Sequence, residues 1–195
     1  MKGAIHLASA SPRRKLLLEQ MGLRCTVIGV DVDEPMDQTW YALDLAKNLS
    51  ERKMIACLNQ RPELRDDAWI LTADTLIVLG DEKIGKAYNR EDAARILNLL
   101  QGRTHQVITA FSIYSPRSRT YVTEHESTDV TFSSMDSMEI DDYLDTGEWI
   151  GVAGAYRIQE QGGKYVSSLN GTYYNVMGLP INLIYGILRL LNFGN

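Results

Sequence analysis

Strand-like and helix-like segments alternate along the first hundred residues, and this alternation restricts the fold more than any other feature. Residues 4–9 predict a short buried strand, residues 12–21 a helix with Leu16, Leu17 and Met21 on its apolar face, and residues 25–32 a second strand. Longer helices are predicted over 39–59 and from the cap Asn89 to the stop at Gly102. The alternation favours an α/β fold.

Strands dominate the second half of the chain, so the predicted sheet is mixed. Residues 68–84 predict a strand, an interruption at Asp74, a further strand and a turn at Gly80-Asp81. Residues 105–115 and 120–134 predict two strands, and residues 138–147 a short helix. Asn170-Gly171 is typical of a hairpin turn, and a last helix is predicted after Pro180. Without a repeat or a flexible linker, we expect a single domain over residues 1–195.

Composition and charge exclude several classes of protein. The formal net charge of −5 over 195 residues gives no support to a nucleic-acid-binding surface. No apolar run approaches the roughly 18 residues that a membrane span needs, and the N-terminus is not typical of a signal peptide. Cys25 and Cys57 lack metal-ligand spacing and predict buried free thiols. We therefore expect a soluble, cytoplasmic protein without nucleic-acid or membrane partners.

The stretch "LASASPRRKLLLEQMG", residues 7–22, places two arginines where the first helix begins. Ser11 is a suitable N-cap and Pro12 suits the first helical position, so unpaired backbone N–H groups and the positive end of the helix dipole lie there. Arg13 and Arg14 add charge to a site already suited to an anion, which favours a phosphate chain. The alternative is a pair of solvated arginines. Because their charge opposes the dipole, we expect replacement of either by Ala not to lower stability.

Asp74 lies inside "ILTADTLIV", where the neighbouring residues favour a buried strand. A buried carboxylate needs a cation, a metal or a proton to handle, although a polar residue at a bulge or strand end is the alternative. Glu34 follows a predicted strand and could supply a second carboxylate for a divalent cation. Lys53 and Lys86 are candidate phosphate contacts, but a single lysine is more commonly a surface residue.

Other enzyme classes lack their signatures in this chain. The three histidines lie in unrelated segments, and none forms a metal-binding pattern on a helix. The serines have no G-x-S-x-G setting, and the chain has neither G-x-G-x-x-G nor a Walker lysine loop. Serine hydrolases, dinucleotide oxidoreductases and P-loop NTPases are therefore disfavoured.

The motifs taken in order resemble those of the Maf family, also called septum-formation-inhibitor-like. The likeness covers nearly the whole chain, and its motifs include "SASPRR", "LTADTLIV", "AGAYRIQ" and "NGTYYNVMGLPI". The resemblance implies an ITPase-like α/β fold, with a mixed twisted sheet, flanking helices and two lobes around a central cleft. It also implies a nucleoside triphosphate pyrophosphatase that needs a divalent cation, Mg²⁺ or Mn²⁺.

The resemblance also assigns roles to individual residues. Asp74 matches the family's catalytic proton acceptor. Ser9, Arg13 and Arg14 match its phosphate-binding loop, and Lys53, Lys86 and Glu34 match other polar cleft residues. We expect Glu34 and Asp74 to hold the metal. Arg13, Thr75 and Gln159 match the specificity positions of the members that act on dTTP and UTP rather than 7-methyl-GTP.

The chain departs from the family pattern at four positions. Thr72 and Arg157 replace glycines, Ala87 replaces a proline, and Val152 replaces a lysine that the family pattern directs at the phosphates. The sequence thus predicts a hydrolase that cleaves dTTP, UTP and modified pyrimidine nucleotides to the monophosphate and pyrophosphate and so keeps non-standard nucleotides from incorporation. It allows a homodimer. The alternative, favoured by Val152, is a nucleotide-binding regulator of septum formation or cell division with little turnover.

Overall fold

The computed structural model describes residues 3–32 and 39–194 of the chain. Its strands are β1 Ala4–Leu7, β2 Arg24–Val27, β3 Ile70–Leu79, β4 Glu82–Ile84, β5 Thr104–Ser115, β6 Thr120–Phe132 and β7 Val166–Asn170. Its helices are α1 Pro12–Gln20, α2 Ala42–Gln60, α3 Arg90–Leu100, α4 Ser137–Asp145, α5 Tyr173–Met177 and α6 Ile181–Leu190. Short 3₁₀ helices cover Pro62–Leu64 and Gln161–Tyr165.

The strands form a mixed sheet of seven strands in the order β2-β1-β3-β5-β6-β7, with β4 paired to β3. β1 runs parallel to both β2 and β3, with Leu7 opposite Val27 and Leu71. β4 is antiparallel to β3, and β7 is antiparallel to β6. The predicted α/β fold with a mixed sheet is confirmed.

The chain divides into two compact units. Unit 1 comprises Met1–Asp74, Thr109–Glu126 and Gly178–Asn195, and unit 2 comprises Thr75–Ile108 and Ser127–Met177. The core of unit 1 includes a cluster of buried residues from α2, β3 and β5, from the segments that follow β1 and β2, and from the segment that precedes β3. Its members are Ala8, Ile28, Met54, Cys57, Ala68, Ile70 and Tyr114. The single domain predicted over residues 1–195 stays a prediction.

Unit 2 has a core of its own, in which α3 contacts α4. α3 buries Ile96, Leu97 and Leu100, while α4 buries Tyr143 and Leu144. Both helices begin with a side-chain cap: Asn89 accepts from the amide of Asp92, and Asp136 forms a capping box with Glu139. An aromatic group of His105, Phe132 and Tyr156 adds three edge-to-face ring contacts.

Several predicted boundaries are wrong by a few residues or more. β3 runs unbroken through Asp74, so the predicted interruption is absent. β2 ends at Val27 rather than at residue 32, and α2 covers 42–60 rather than 39–59. In α1 the buried apolar residues are Leu17 and Leu18, whereas Leu16 is exposed. Cys57 is buried as predicted but Cys25 only half-buried, and burial raises the pKa of both free thiols.

The hairpin predicted at Asn170-Gly171 is also wrong. β7 ends at Asn170, and after Gly171 the chain enters α5 instead of a further strand. Thr172 Oγ1 accepts from the backbone amide of Asn175 at 3.3 Å, which caps the short helix. The buried side chain of Asn175 donates through Nδ2 to the Val107 carbonyl at 3.0 Å and to Thr128 Oγ1 at 2.9 Å. These bonds to other strands outweigh the local turn signal.

No helix among residues 3–32 and 39–194 is both long and apolar enough to cross a membrane.

Candidate active site

The loop between β1 and α1 is held by Ser9 and Arg14. Ser11 occupies the N-cap position of α1 with an extended backbone, but its side chain makes no capping hydrogen bond. Ser9 Oγ accepts from the Ser11 amide at 3.3 Å and from Arg14 Nη1 at 3.0 Å. The loop therefore uses its own hydroxyl to orient the guanidinium.

Arg14 is buried and bonds to two segments far away in the sequence. Its Nη1 donates to the Ala73 carbonyl on β3 at 2.8 Å, and its Nε donates to the Gly178 carbonyl before α6 at 3.0 Å. Only 9% of its surface is exposed, so the alternative of a solvated arginine is wrong for Arg14. The structure also changes the expectation for stability: because both carbonyls would lose a buried donor, we now expect replacement of Arg14 by Ala to lower it.

Arg13 precedes Arg14 in the first turn of α1 and is half-buried. This turn contains no acidic residue, and Pro12 occupies its first position. The positive end of the α1 dipole and the Arg13 guanidinium thus lie in the same turn, beside the loop that Arg14 fixes. That combination suits an anion with several oxygens, such as a phosphate chain.

Asp74 and Lys53 form a buried ion pair within unit 1. Lys53 Nζ lies 2.6 Å from Asp74 Oδ1, and the two side chains are 10% and 11% exposed. The ammonium also donates to the Ala73 carbonyl at 3.4 Å. Lys53 comes from the buried face of α2 and Asp74 from the middle of β3. The cation that a buried carboxylate requires is therefore supplied by α2.

The pair has a definite chemical capability. A lysine that contacts a carboxylate through one oxygen fixes the direction of that carboxylate, while the second oxygen, Oδ2, is a separate acceptor. Because the pair is largely withdrawn from water, its charges are screened less than a surface pair would be. Asp74 is thus a fixed, hydrogen-bonded carboxylate that could accept a proton from a water molecule.

The predicted site residues of unit 2 are spread over three segments. Thr75 is half-buried and follows Asp74 on β3. Lys86 is exposed, and its backbone forms a bridge with Ala153, while the Gly154 amide donates to the Gly85 carbonyl at 3.0 Å. The backbone therefore brings the Lys86 segment against the loop of residues 151–156, "GVAGAY".

Gln159 lies further along the chain in unit 2 and is half-buried. Its Nε2 donates to Glu160 Oε1 at 3.4 Å. The roles of Thr75, Lys86 and Gln159 in substrate binding stay predictions.

Val152 and Arg157, two of the positions that depart from the family pattern, have defined surroundings in the structure. Val152 is 3% exposed and belongs to the core, so the position does not offer a side chain to solvent. Arg157 Nη1 donates to the Glu160 carboxylate at 3.4 Å, and its amide donates to the Tyr143 hydroxyl at 3.1 Å. Burial raises the pKa of Tyr143, which keeps that hydroxyl neutral. Arg157 is therefore engaged by its own loop.

Of the two carboxylates predicted to bind metal, only that of Asp74 belongs to the described residues. Glu34 lies outside the described residues. Within the described part of the chain, no group of three or more His, Cys, Asp or Glu side chains is placed to hold a metal ion. Asp74 provides one carboxylate, and a hard divalent cation is commonly held by one or two carboxylates together with phosphate oxygens of the substrate. The Asp74 carboxylate therefore fits one ligand position of such a cation.

A set of buried hydroxyls behind the ion pair was missed by the sequence analysis. Ser50, Thr72 and Ser112 are fully buried, and the Ser50 hydroxyl lies within hydrogen-bond distance of the other two. The departure from glycine at Thr72 was the available signal, but Ser50 and Ser112 carry no sequence signal of their own.

Comparison with known proteins decides the family. The family model described as "Maf-like protein" matches residues 4–191. The chain belongs to the Maf-like family. The predicted family membership is confirmed, and the match spans both units and every site residue named above.

Three curated relatives of this Maf-like chain share one name. The dTTP/UTP pyrophosphatase of Bdellovibrio bacteriovorus is 41% identical over 96% of this chain and 98% of the relative. Those of Desulforamulus reducens and Aquifex aeolicus are 38% and 39% identical over 95% of this chain, and over 95% and 94% of the relatives. A solved nucleoside-triphosphatase (dITP/XTP pyrophosphatase) from Mycobacterium abscessus aligns with a TM-score of 0.39 and 12% identity, too low to bear on the assignment.

Proposed function

We propose that this Maf-like chain is a nucleoside triphosphate pyrophosphatase that hydrolyses dTTP and UTP to the monophosphate and pyrophosphate. The observation that carries the proposal is the buried contact of 2.6 Å between Lys53 and Asp74, on the strand that also accepts a hydrogen bond from Arg14. A fixed carboxylate beside a phosphate-type loop suits hydrolysis of a phosphoanhydride. The names of the relatives support the choice of substrate.

Asp74 acts as the general base in this proposal. A water molecule forms a bond to phosphorus, the bridging P–O bond between the α- and β-phosphates breaks, and the proton of the water passes to Asp74. Lys53 keeps the Asp74 carboxylate in one orientation through Oδ1. A positioned general base typically contributes about 10²–10⁴-fold to the rate.

Phosphate binding falls to the start of α1. Arg13, the hydroxyl of Ser9 and the positive end of the α1 dipole face the developing negative charge, while Arg14 holds the loop through its carbonyl acceptors. Preorganised donors of this kind stabilise charge in the transition state without reorganising. Lys86 is a further candidate phosphate ligand.

A divalent cation, Mg²⁺ or Mn²⁺, belongs to the proposal because the phosphates of the substrate carry several negative charges. Asp74 would hold it together with phosphate oxygens, and Glu34 is the second candidate ligand. When bound, the cation neutralises charge on the transferred phosphate.

The test is release of pyrophosphate from a panel of nucleotides with Mg²⁺ or Mn²⁺. We expect dTTP and UTP to be cleaved faster than purine nucleotides and 7-methyl-GTP. Asp74→Asn should lower kcat by about 10²–10⁴-fold, because the amide can still accept from Lys53 but cannot take the proton. The matched control is Asp81→Asn, at an exposed aspartate in the turn after β3, which should keep full activity.

Two results would contradict the proposal. Near wild-type turnover by a folded Asp74→Asn variant would remove Asp74 from the chemistry. Nucleotide binding without hydrolysis of any nucleotide would instead support the regulator of septum formation, which the names of the relatives do not favour. The homodimer and the cytoplasmic location stay predictions from the sequence.

A further inference from the structure

We propose that the hydroxyls of Ser50, Thr72 and Ser112, named here the hydroxyl cluster, position the Lys53–Asp74 pair by fixing the register of α2 against β3. Thr72 Oγ1 donates to the Ser50 carbonyl at 2.8 Å. Ser50 Oγ lies 3.3 Å from Thr72 Oγ1 and 3.0 Å from Ser112 Oγ. The inference rests on the proposed function and assigns positioning residues to its general base.

The two contacts lie side by side on the same elements. Ser50 and Lys53 are three residues apart on α2, and Thr72 and Asp74 are two residues apart on β3. Residues three apart share a helix face, and residues two apart share a strand face. The contact between Ser50 and Thr72 is therefore the neighbouring contact between the same two faces that carry Lys53 and Asp74.

Apolar packing alone does not set this register. Along the same two faces, Met54 and Cys57 of α2 belong to the apolar core of unit 1 together with Ile70 of β3. Such burial is not directional, so it tolerates small shifts of the helix along the strand. Hydrogen bonds between buried hydroxyls are directional, and leaving them unmade costs free energy. The hydroxyl cluster thus supplies the geometric constraint that the apolar contacts lack.

The cluster also has a fixed support behind it. Ser112 belongs to β5, and its Oγ lies 2.9 Å from Thr123 Oγ1 of β6. Ser50, Thr72 and Ser112 are each 0% exposed, so water does not compete for their hydroxyls. A helix residue is therefore tied through a chain of hydroxyls to three strands of the sheet. A shift of about 1 Å at a catalytic group can lower a rate by about a hundredfold, so this support matters for turnover.

Thr72→Val tests the inference because it keeps the shape of the side chain and removes its hydroxyl. We expect kcat to fall roughly ten- to a hundredfold with KM nearly unchanged. The substrate-binding groups keep their positions, whereas the Asp74 carboxylate is no longer held in one orientation. Thr72→Ser, which restores the hydroxyl, should recover most of the kcat. Ser112→Ala should act in the same direction as Thr72→Val.

The matched control is Ser115→Ala. Ser115 is also buried on β5, but it lies three residues from Ser112 and therefore on the opposite face of the strand. Its replacement should change the free energy of unfolding by an amount similar to Ser112→Ala without lowering kcat. Equal losses of kcat in both variants, or no rescue by Thr72→Ser, would overturn the positioning role.

A second measurement decides the inference without using activity. The ammonium of Lys53, buried and ion-paired, should give its own ¹H–¹⁵N NMR signal, assigned through Lys53→Met. We expect this signal to shift or broaden in Thr72→Val and to stay in place in Thr72→Ser and Ser115→Ala. An unchanged signal in Thr72→Val overturns the inference. If the wild-type protein hydrolyses no nucleotide, the proposed function fails while this signal still tests the cluster.

Discussion

Arg14→Ala should destabilise this protein, although it removes a positive charge from the positive end of a helix. The guanidinium donates to Ser9 Oγ, to the Ala73 carbonyl and to the Gly178 carbonyl. In the variant, the last two acceptors stay buried and lose a charged donor. The effect of these lost bonds is opposite in sign to that of the relieved helix dipole, so their sizes decide the outcome.

The magnitudes favour the lost hydrogen bonds. The Gly178 carbonyl loses its donor at a cost of about 1–3 kcal/mol, and loss of the bond to the Ala73 carbonyl, which keeps the contact with Lys53 Nζ at 3.4 Å, costs about 0.5–1.5 kcal/mol more. Relief of unfavourable charge at a helix N-terminus returns only about 0.3–1 kcal/mol. The free energy of unfolding should therefore fall by about 2 kcal/mol. Arg14→Lys should recover only part of this loss, because a single ammonium does not reproduce the planar fork.

The measurement is urea unfolding followed by circular dichroism at pH 7. The matched control is Arg24→Ala, at an exposed arginine on β2, which should change the free energy of unfolding by less than about 0.5 kcal/mol. If Arg14→Ala is no less stable than Arg24→Ala, water replaces the guanidinium at both carbonyls and the structural role of Arg14 is refuted.

Three further predictions concern unit 2. Burial lowers the pKa of His105 to about 4; since an unfolded histidine titrates near 6.5, the unfolded state binds more protons between these values. The free energy of unfolding should therefore fall as the pH drops from about 6.5 to about 4, by on the order of 3 kcal/mol, and urea unfolding at pH 7 and pH 4.5 should show a smaller pH effect in His105→Gln. Val152→Lys should lower the melting temperature without raising kcat/KM, because the lysine would replace a core side chain that is 3% exposed. A gain in kcat/KM would instead support the phosphate contact expected from the family pattern. Gly171→Ala should lower the free energy of unfolding by more than about 1 kcal/mol, because φ is +132° and an added Cβ would lie 2.5 Å from Thr128 Oγ1. Gly186→Ala on α6 should not lower it, because an added Cβ meets nothing within 4 Å there. Equal melting temperatures of the two glycine variants would contradict this prediction.

Local signals in the sequence were sufficient for elements whose ends are set by neighbouring residues. The cap at Asn89 accepts from Asp92 three residues later, and Gly102 follows the end of α3 with a positive φ of 64°. Both features depend on backbone geometry that a few residues decide. The same is true of Pro12 at the start of α1. Such elements could be predicted well.

Features that depend on distant partners could not be predicted in this way. Asn170-Gly171 carries a strong hairpin signal, but Asn175 bonds to Val107, 68 residues away, and the chain becomes helical. The turn signal describes only the residues beside it, whereas the outcome depends on which strands lie near Asn175.

The candidate site divides along the same line. A carboxylate inside an apolar strand marked Asp74 as unusual, because its burial without a partner would be costly. Its partner Lys53 is 21 residues away and resembled a surface lysine or a phosphate contact. The hydroxyl of Thr72 looked like a departure from the family pattern, and its use became visible only once α2 was packed on β3.

The bond from Arg14 to Gly178 also sets an order of events during synthesis of the chain. Its donor and acceptor are 164 residues apart, so at about 5–20 residues per second the ribosome needs roughly 8–33 seconds after making Arg14 to supply the acceptor. Until then the guanidinium lacks the Gly178 carbonyl, and the loop between β1 and α1 stays incomplete. This loop of the proposed active site is therefore finished only after Gly178 has emerged, so chains truncated before Gly178 should not carry a working loop.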